Sequence, residues 1–458
     1  MDKRAVARSA AVAVVSQGVT TAVSALTVLL LAGRLDEVQY GLWQFFLLIG
    51  GYSGLFHLGL CDGVYLACGG SDYTSLDLPR LGTLLRGMTA IQLAAAAALS
   101  ALSALTLDGG RMWAVILALI YMPLFNAGAY LGNLAQATGH CTRYSVSVML
   151  DRVCFAAGTA TAALGGVTDF RVYAGICIFS RLVSAAFLAF TERRVVTAPY
   201  CRVDGLGREL RPGARLLVAN LAGQLWASAP RWTILWRMGD AELGRVSLLI
   251  TLSGMLTQVA SQLAMVLFPA LRREDGAARA RLIGRLGGTI RLALPAVLLF
   301  LRPLGWLIGL ILPRYAPDSY LLAALLPAGI LDAHTQLVSL TEMKVARREG
   351  RMMVLELACG GLGLALCLGA AALGGDRLTV LLFAALCAAV RCVAATACTE
   401  SAGRTAETVR AAAFALVCIV SIPLNLYVGT WCFAALYALY LSLTLILRRA
   451  RRALGAEV

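Results

Sequence analysis

A chain of 458 residues that is 59% hydrophobic and only 14% charged is too apolar for an ordinary soluble domain, in which about a quarter of residues carry charge. A helix crosses a bilayer with about 20 apolar residues, so this length holds about 12 to 14 crossings joined by short loops. The apolar runs are continuous rather than alternating, which excludes a β-barrel, and the net charge of +15 lies in short loops, which excludes a basic nucleic-acid-binding domain.

Taken in chain order, the first run (Ala10 to Ala32) follows Lys3, Arg4 and Arg8 and is too long for a signal-peptide core, so it reads as a retained helix. Further spans are expected at roughly 42–68, 84–106, 112–137, 146–167 and 171–191, then 213–237, 244–270, 288–312, 319–342, 353–374 and 378–400, with two more at 409–428 and 431–447. The fold class is therefore an all-α polytopic membrane protein of about 14 helices. Pro123, Pro295, Pro303, Pro327 and Pro423 read as kinks.

Lys and Arg accumulate in every second gap. One set of gaps carries single arginines, Arg34, Arg111, Arg171, Arg237, Arg314 and Arg377. The other set, from Lys3 to Arg452, carries 27 Lys and Arg. The positive-inside rule assigns the basic set, and with it both termini, to the cytoplasm.

The longest polar gap, 192–212, separates two halves. Arg34 to Gly41 follows the first span and Arg237 to Gly244 follows the seventh, with Arg and Gly seven apart and acidic residues between them in both. The repeat predicts a six-helix lobe over 1–191, a linker over 192–212, a second six-helix lobe over 213–400, and two added helices with a basic tail over 401–458. The two lobes would be related by an axis along the membrane normal.

Seven arginines remain outside the loops: Arg152, Arg181, Arg231, Arg245, Arg291, Arg302 and Arg391. Arg152, Arg245 and Arg291 lie near span ends, where snorkelling accounts for them; the other four are deeper. A charge at mid-bilayer costs about 2.5–3.5 kcal/mol on insertion scales, so such residues face a bundle interior or a wet cavity. Asn220, Gln224, Ser228 and Arg231 recur at steps of four, four and three and make one helical face. Ser247, Thr251, Gly254, Gln258 and Ser261 repeat the pattern on the eighth span, with Gln262 beside them, and Gln17, Thr20, Ser24 and Thr27 do so on the first. The second span holds His57 and Asp62 among glycines. Stripes on the first two helices of each half predict a water-filled cleft between the lobes; the alternative is hydrogen bonding between packed helices. Asp332 and His334, on the tenth span, read either as a proton relay or as a satisfied internal pair.

The 13 cysteines form no CxxC pair and mostly sit in apolar runs, as small fillers. His57, His140 and His334 have no metal-ligand spacing. GxxxxGK[ST], HExxH and GxSxG patterns do not occur, and the loops are too short for a catalytic domain.

Leu29-Leu30-Leu31-Ala32-Gly33-Arg34-Leu35, then Tyr40-Gly41-Leu42, then His57-Leu58-Gly59-Leu60 resemble the opening of polysaccharide flippases, the Wzx-like branch of the MOP (multidrug/oligosaccharidyl-lipid/polysaccharide) exporter superfamily. Arg211-Pro212-Gly213, Phe268-Pro269 and the basic run after Lys344 are similar to the second half of that pattern. His57 departs from it, standing where Asp is common, and Gly33 stands where Ala is common.

The resemblance implies alternating access and transport of undecaprenyl-diphosphate-linked oligosaccharide units across a bacterial cytoplasmic (inner) membrane, without a cofactor and with coupling to H+ or Na+. It also implies a polysaccharide polymerase and glycosyltransferases as partners beside the lipid bilayer, and no nucleic acid. Arginine pairs phosphate bidentately, which makes Arg231, then Arg245, the expected diphosphate contacts. Asn220, Gln224, Ser228, Gln258, Gln262, Gln17 and His57 complete the expected cavity, and Asp62 and Asp332 are the candidate coupling carboxylates. The alternatives are a cation-coupled multidrug exporter of the same superfamily and a non-transporting glycan-assembly protein.

Overall fold

The computed structural model describes residues 22–69, 73–107, 109–138, 140–273, 276–346, 348–399 and 404–453. Among these the regular structure is all helical, with no strand. Ten helices are long and apolar enough to cross a membrane, eleven with one bent pair counted as a span, and Ala22–Arg34 and Thr430–Ile446 are shorter apolar helices. Helix lies along every one of the fourteen predicted stretches, the first being described only from Ala22.

The chain divides into two compact units. The first comprises residues 22–224 and 238–244. It opens with α1 (Ala22–Arg34) and α2 (Glu37–Gly51). Asp36 starts α2 by accepting the Gln39 N–H at 2.8 Å, and Glu37 faces the positive end of the helix dipole. The second predicted span is not one rod. A 3-10 turn over Ser53–His57 leads into Leu58 and Gly59, at φ 50° and 86°, and α3 (Leu60–Cys68) leaves at 57° to the preceding segment. The break falls in the glycine-rich stretch because Gly59 adopts the left-handed region without strain.

Next come α4 (Leu78–Thr106), α5 (Gly109–Ala137), α6 (Cys141–Leu164) and α7 (Phe170–Thr191). Asp77 and Asp169 cap α4 and α7. Leu60, Val64, Leu84, Met88, Leu131 and Leu188 form the apolar core that joins α3, α4, α5 and α7.

The expected linker is shorter than the charge pattern suggests. α8 (Arg193–Val196) and the start of α9 (Gly207–Met238) both fall inside it, since Arg and Glu favour helix wherever packing permits. Residues 196–204 of it are fastened to α4. Arg80 donates to the Asp204 carbonyl (2.8 Å), Arg86 to the Val196 carbonyl (3.0 Å), and the Cys201 N–H to Thr83 Oγ1 (3.1 Å).

The second unit holds residues 225–237 and 245–453 among those described. It contains the end of α9, α10 (Asp240–Arg273) from Arg245 onward, α11 (Gly276–Ala293) and α12 (Leu301–Ile311). A 3-10 stretch begins at Leu294 and Pro295 between the last two, as expected where proline removes a donor. α13 (Leu322–His334) passes through a π-helical segment, Thr335–Leu340, into α14 (Thr341–Val345). From Leu321 to Val345 every residue except Ala328, Gln336 and Lys344 is buried. α15 (Glu349–Ala372), α16 (Arg377–Ala397) and α17 (Arg404–Pro423) pack against this rod, and α18 (Thr430–Ala453) packs against α17. After Pro423 the helix widens into a second π segment, Leu424–Val428.

Candidate functional site

Two of the sequence-predicted stripes meet in the second unit. Arg231 on α9 donates through Nη2 to Thr251 Oγ1 on α10 at 2.9 Å, and the Thr251 hydroxyl donates in turn to the Ser247 carbonyl at 2.7 Å. Arg231 is half-buried and Ser247 is buried. Ser228 lies on the Arg231 face and donates to the Leu225 carbonyl at 3.3 Å. Arg245 is half-buried on the first turns of α10, and Gln258 is exposed farther along it. In the first unit Asn220 is exposed, and Gln224 lies against α2, where a Cβ on Gly51 would come 2.3 Å from its Nε2. Gln17 lies outside the described residues, as does the Gln262 side chain.

His57 and Asp62 do not join this group. His57 is buried and its Nδ1 accepts the Gly59 N–H at 3.1 Å, so its resolved role is to brace the break in the second span. Asp62 is half-buried in the first turn of α3.

Asp332 belongs to a second polar centre whose other acid sequence reading missed. Arg391 on α16 is only 2% exposed. It reaches Glu356 on α15 through Nη2 at 2.9 Å and through Nε at 3.3 Å, and pairs with Asp332 on α13 through Nη1. The guanidinium lies 4.7 Å from the centre of the Trp226 ring, a cation–π contact that supports the charge where water is excluded. Arg391 stands out in the sequence as a deep arginine; a lone Glu356 in an apolar run was an equal signal for its partner. His334 is not the partner of Asp332. Its Nδ1 lies 3.4 Å from Cys392 Sγ and its ring packs on Phe414.

The first unit carries a related pair. Arg181 on α7 meets Asp151 on α6 at 3.2 Å, Ser180 donates to the same carboxylate at 3.0 Å, and the Tyr121 and Phe125 rings lie 5.6 and 5.4 Å from the guanidinium. Asp151 and Glu356 lie on the fifth and eleventh predicted spans, Arg181 and Arg391 on the sixth and twelfth. Among the described residues each half thus holds a buried acid paired with an arginine at the corresponding helices, and the second half adds another carboxylate to its pair. Among the described residues no group of three or more His, Cys, Asp or Glu is arranged to hold a metal ion.

No protein-family model matches the chain, and no curated protein matches it. Solved structures do. The lipid II flippase MurJ in an inward closed conformation superposes with a TM-score of 0.62 over 96% of this chain and 98% of that one, at 10% identity. An inward-facing multidrug resistance MATE transporter of the MOP superfamily gives 0.53 over 86% and 95%, at 16% identity. A MOP superfamily transporter from Pyrococcus furiosus, whose binding pocket is described as having reverse polarity, gives 0.51 over 90% and 96%, at 14% identity. The chain has the fold of MOP superfamily transporters.

Proposed function

We propose that this protein is a flippase that moves polyprenyl-diphosphate-linked oligosaccharide units across the cytoplasmic membrane for cell-surface polysaccharide synthesis, by alternating access and with both termini in the cytoplasm. The observation that carries the reading is Arg231, a half-buried cation on a polar helix face within a transporter fold. A diphosphate entering a membrane needs cationic and hydrogen-bonding partners, while a polyprenyl tail stays in lipid. Arg231 with Arg245 supplies the charge, and Asn220, Gln224, Gln258 and Gln262 suit sugar hydroxyls. A polymerase and glycosyltransferases of the same assembly line are the expected partners.

Coupling to H+ or Na+ is assigned to the Asp332–Arg391–Glu356 centre. Two carboxylates share one guanidinium there, and in a water-poor interior the surplus negative charge is relieved by a bound proton or cation. Asp62, half-buried and on a different element, is the second candidate.

The fold is also that of multidrug exporters, which favours a second reading, export of amphipathic cations. Against it, the buried carboxylates Asp151, Asp332 and Glu356 each already face an arginine, which leaves them poorly placed to receive a cationic drug.

The test is translocation of a fluorescent polyprenyl-diphosphate saccharide in proteoliposomes. Arg231→Ala should abolish protection of the probe from an external reagent while the variant still inserts into membranes; undiminished translocation would overturn the assignment.

A further inference from the structure

The most deeply buried candidate span, Pro313–Val345, is also lined with polar side chains. Asp332, Thr335, Ser339 and Glu342 recur at steps of three, four and three, and all four are buried. Leu or Val would pack in these places without the cost of desolvating polar groups. α16 presents a matching series, Arg391, Cys392 and Thr396, which Thr399 continues just past the end of the helix. Ser339 Oγ lies 3.3 Å from Thr396 Oγ1, and His334 Nδ1 lies 3.4 Å from Cys392 Sγ.

One end of this seam is the Asp332–Arg391–Glu356 centre. The other is a cavity of about 10 Å³, room for one water, lined by Ser339, Thr396, Thr399, Glu342, Arg291 and Glu407. Arg291 pairs with Glu407, which also pairs with Arg410, on the side that the basic loops assign to the cytoplasm. Two further observations separate this seam from ordinary back-bonding of hydroxyls to helix carbonyls. The π segment Thr335–Leu340 falls between the two ends, and such bulges are frequent at functional sites. The His334 side chain is fully buried and its Nε2 has no hydrogen-bond partner among the described residues.

We propose that the α13–α16 seam is a proton path between the carboxylate centre and the cytoplasmic face, entered through the one-water cavity. The proposal rests on the reading of that centre as the coupling site. A proton leaving Asp332 or Glu356 restores the carboxylate to Arg391. His334, together with the Ser339 and Thr396 hydroxyls, hands it on by taking a proton at one atom and releasing one from another. Water between Glu342 and Glu407 delivers it to solvent, so each carrier ends as it began. The carriers on α13 are three or four residues apart, about one helical turn, and the proposed path requires a bridging water at each such gap. The charged and titratable groups around the path are Glu356 and Cys359 on α15, Arg391 and Cys392 on α16, Arg291 on α11, and Glu407, Arg410 and Cys418 on α17, with Lys344 on α14 acting electrostatically on Glu356.

Infrared spectroscopy of the full-length protein in lipid nanodiscs tests this without a transported substrate. The wild type should show a protonated-carboxyl stretch that Asp332→Asn or Glu356→Gln removes, and that shifts as the acid exchanges in D2O. Combining Ser339→Ala with Thr396→Val should slow that exchange about tenfold or more, the effect of losing a hydrogen-bonded step, with the melting temperature held. Glu342→Gln should slow it as well. Exchange at the wild-type rate in both variants would overturn the path while leaving the coupling centre intact. If neither Asp332→Asn nor Glu356→Gln removes a protonated-carboxyl stretch, the centre holds no proton, and both the path and its assignment to proton coupling fail.

Discussion

Gly41 and Gly244 meet backbone to backbone. A Cβ on Gly244 would lie 2.1 Å from the Glu37 carbonyl oxygen, and a Cβ on Gly41 would lie 1.9 Å from the Asp240 carbonyl oxygen. The contact is reciprocal: each glycine faces the carbonyl four residues before the other. Arg111 secures the same turn by a two-pronged bond to Asp240, both oxygens at 3.0 Å.

Gly244→Ala therefore has to push the first turn of α10 off α2. Overpacking of this kind costs about 1–3 kcal/mol, and here the obstacle is backbone rather than a flexible side chain. Thermal unfolding in detergent should show a clear drop in midpoint for Gly244→Ala and for Gly41→Ala. Gly254→Ala, where nothing lies within 4 Å of the added Cβ, should show none. Equal midpoints for all three would contradict the close approach.

Arg391 is the shared partner of two buried acids, so its removal strands both. Arg391→Met should destabilise the protein by about 3–5 kcal/mol, the usual effect of breaking a buried pair from one side. Adding Asp332→Asn and Glu356→Gln to that variant should recover most of the loss, because the stranded charges go with it. A triple variant no more stable than the single one would mean that packing on Trp226, rather than charge, holds Arg391 in place.

Asp376 caps α16 outside the membrane-spanning segments. It accepts from the Thr379 N–H at 2.9 Å and from the Thr379 hydroxyl at 2.7 Å, and these bonds to the ionised form hold its carboxyl below the usual range. A depressed folded-state value contributes stability above the unfolded pKa, and that contribution is lost as pH falls through the folded one. Asp376→Ala should cost about 1 kcal/mol near neutral pH, a typical N-cap loss. The difference from wild type should shrink as the pH drops below about 4, where the wild-type carboxyl also protonates. A gap that is constant across this acid range would show that the cap does not act through its charge.

Much of the helical plan was legible because apolar length and loop charge are local signals. The Arg34…Gly41 and Arg237…Gly244 repeat was legible too, although sequence alone could not show that its two glycines touch. The break at Leu58 and Gly59 was hidden, because a glycine-rich apolar run reads the same whether straight or bent. The carboxylate centre was half visible. Asp332 and Arg391 each stood out as isolated charges, but they lie 59 positions apart, and only packing pairs them with each other and with Glu356. Likewise Arg181 was conspicuous, whereas Asp151, near a predicted span end, gave no sign of being its partner. The Arg231 and Thr251 stripes were read from their periodicity as lining a water-filled cleft, and the hydrogen bond between them is the part of the candidate site that the structure resolves.

The proposed substrate is tested by mass analysis of the polyprenyl-diphosphate lipids extracted from host cells depleted of this protein. A flippase for these lipids leaves a completed, sugar-loaded lipid to accumulate on the cytoplasmic side, which would identify the glycan as well. An unchanged lipid pool, with new sensitivity to cationic dyes, would contradict the flippase reading and point to multidrug export.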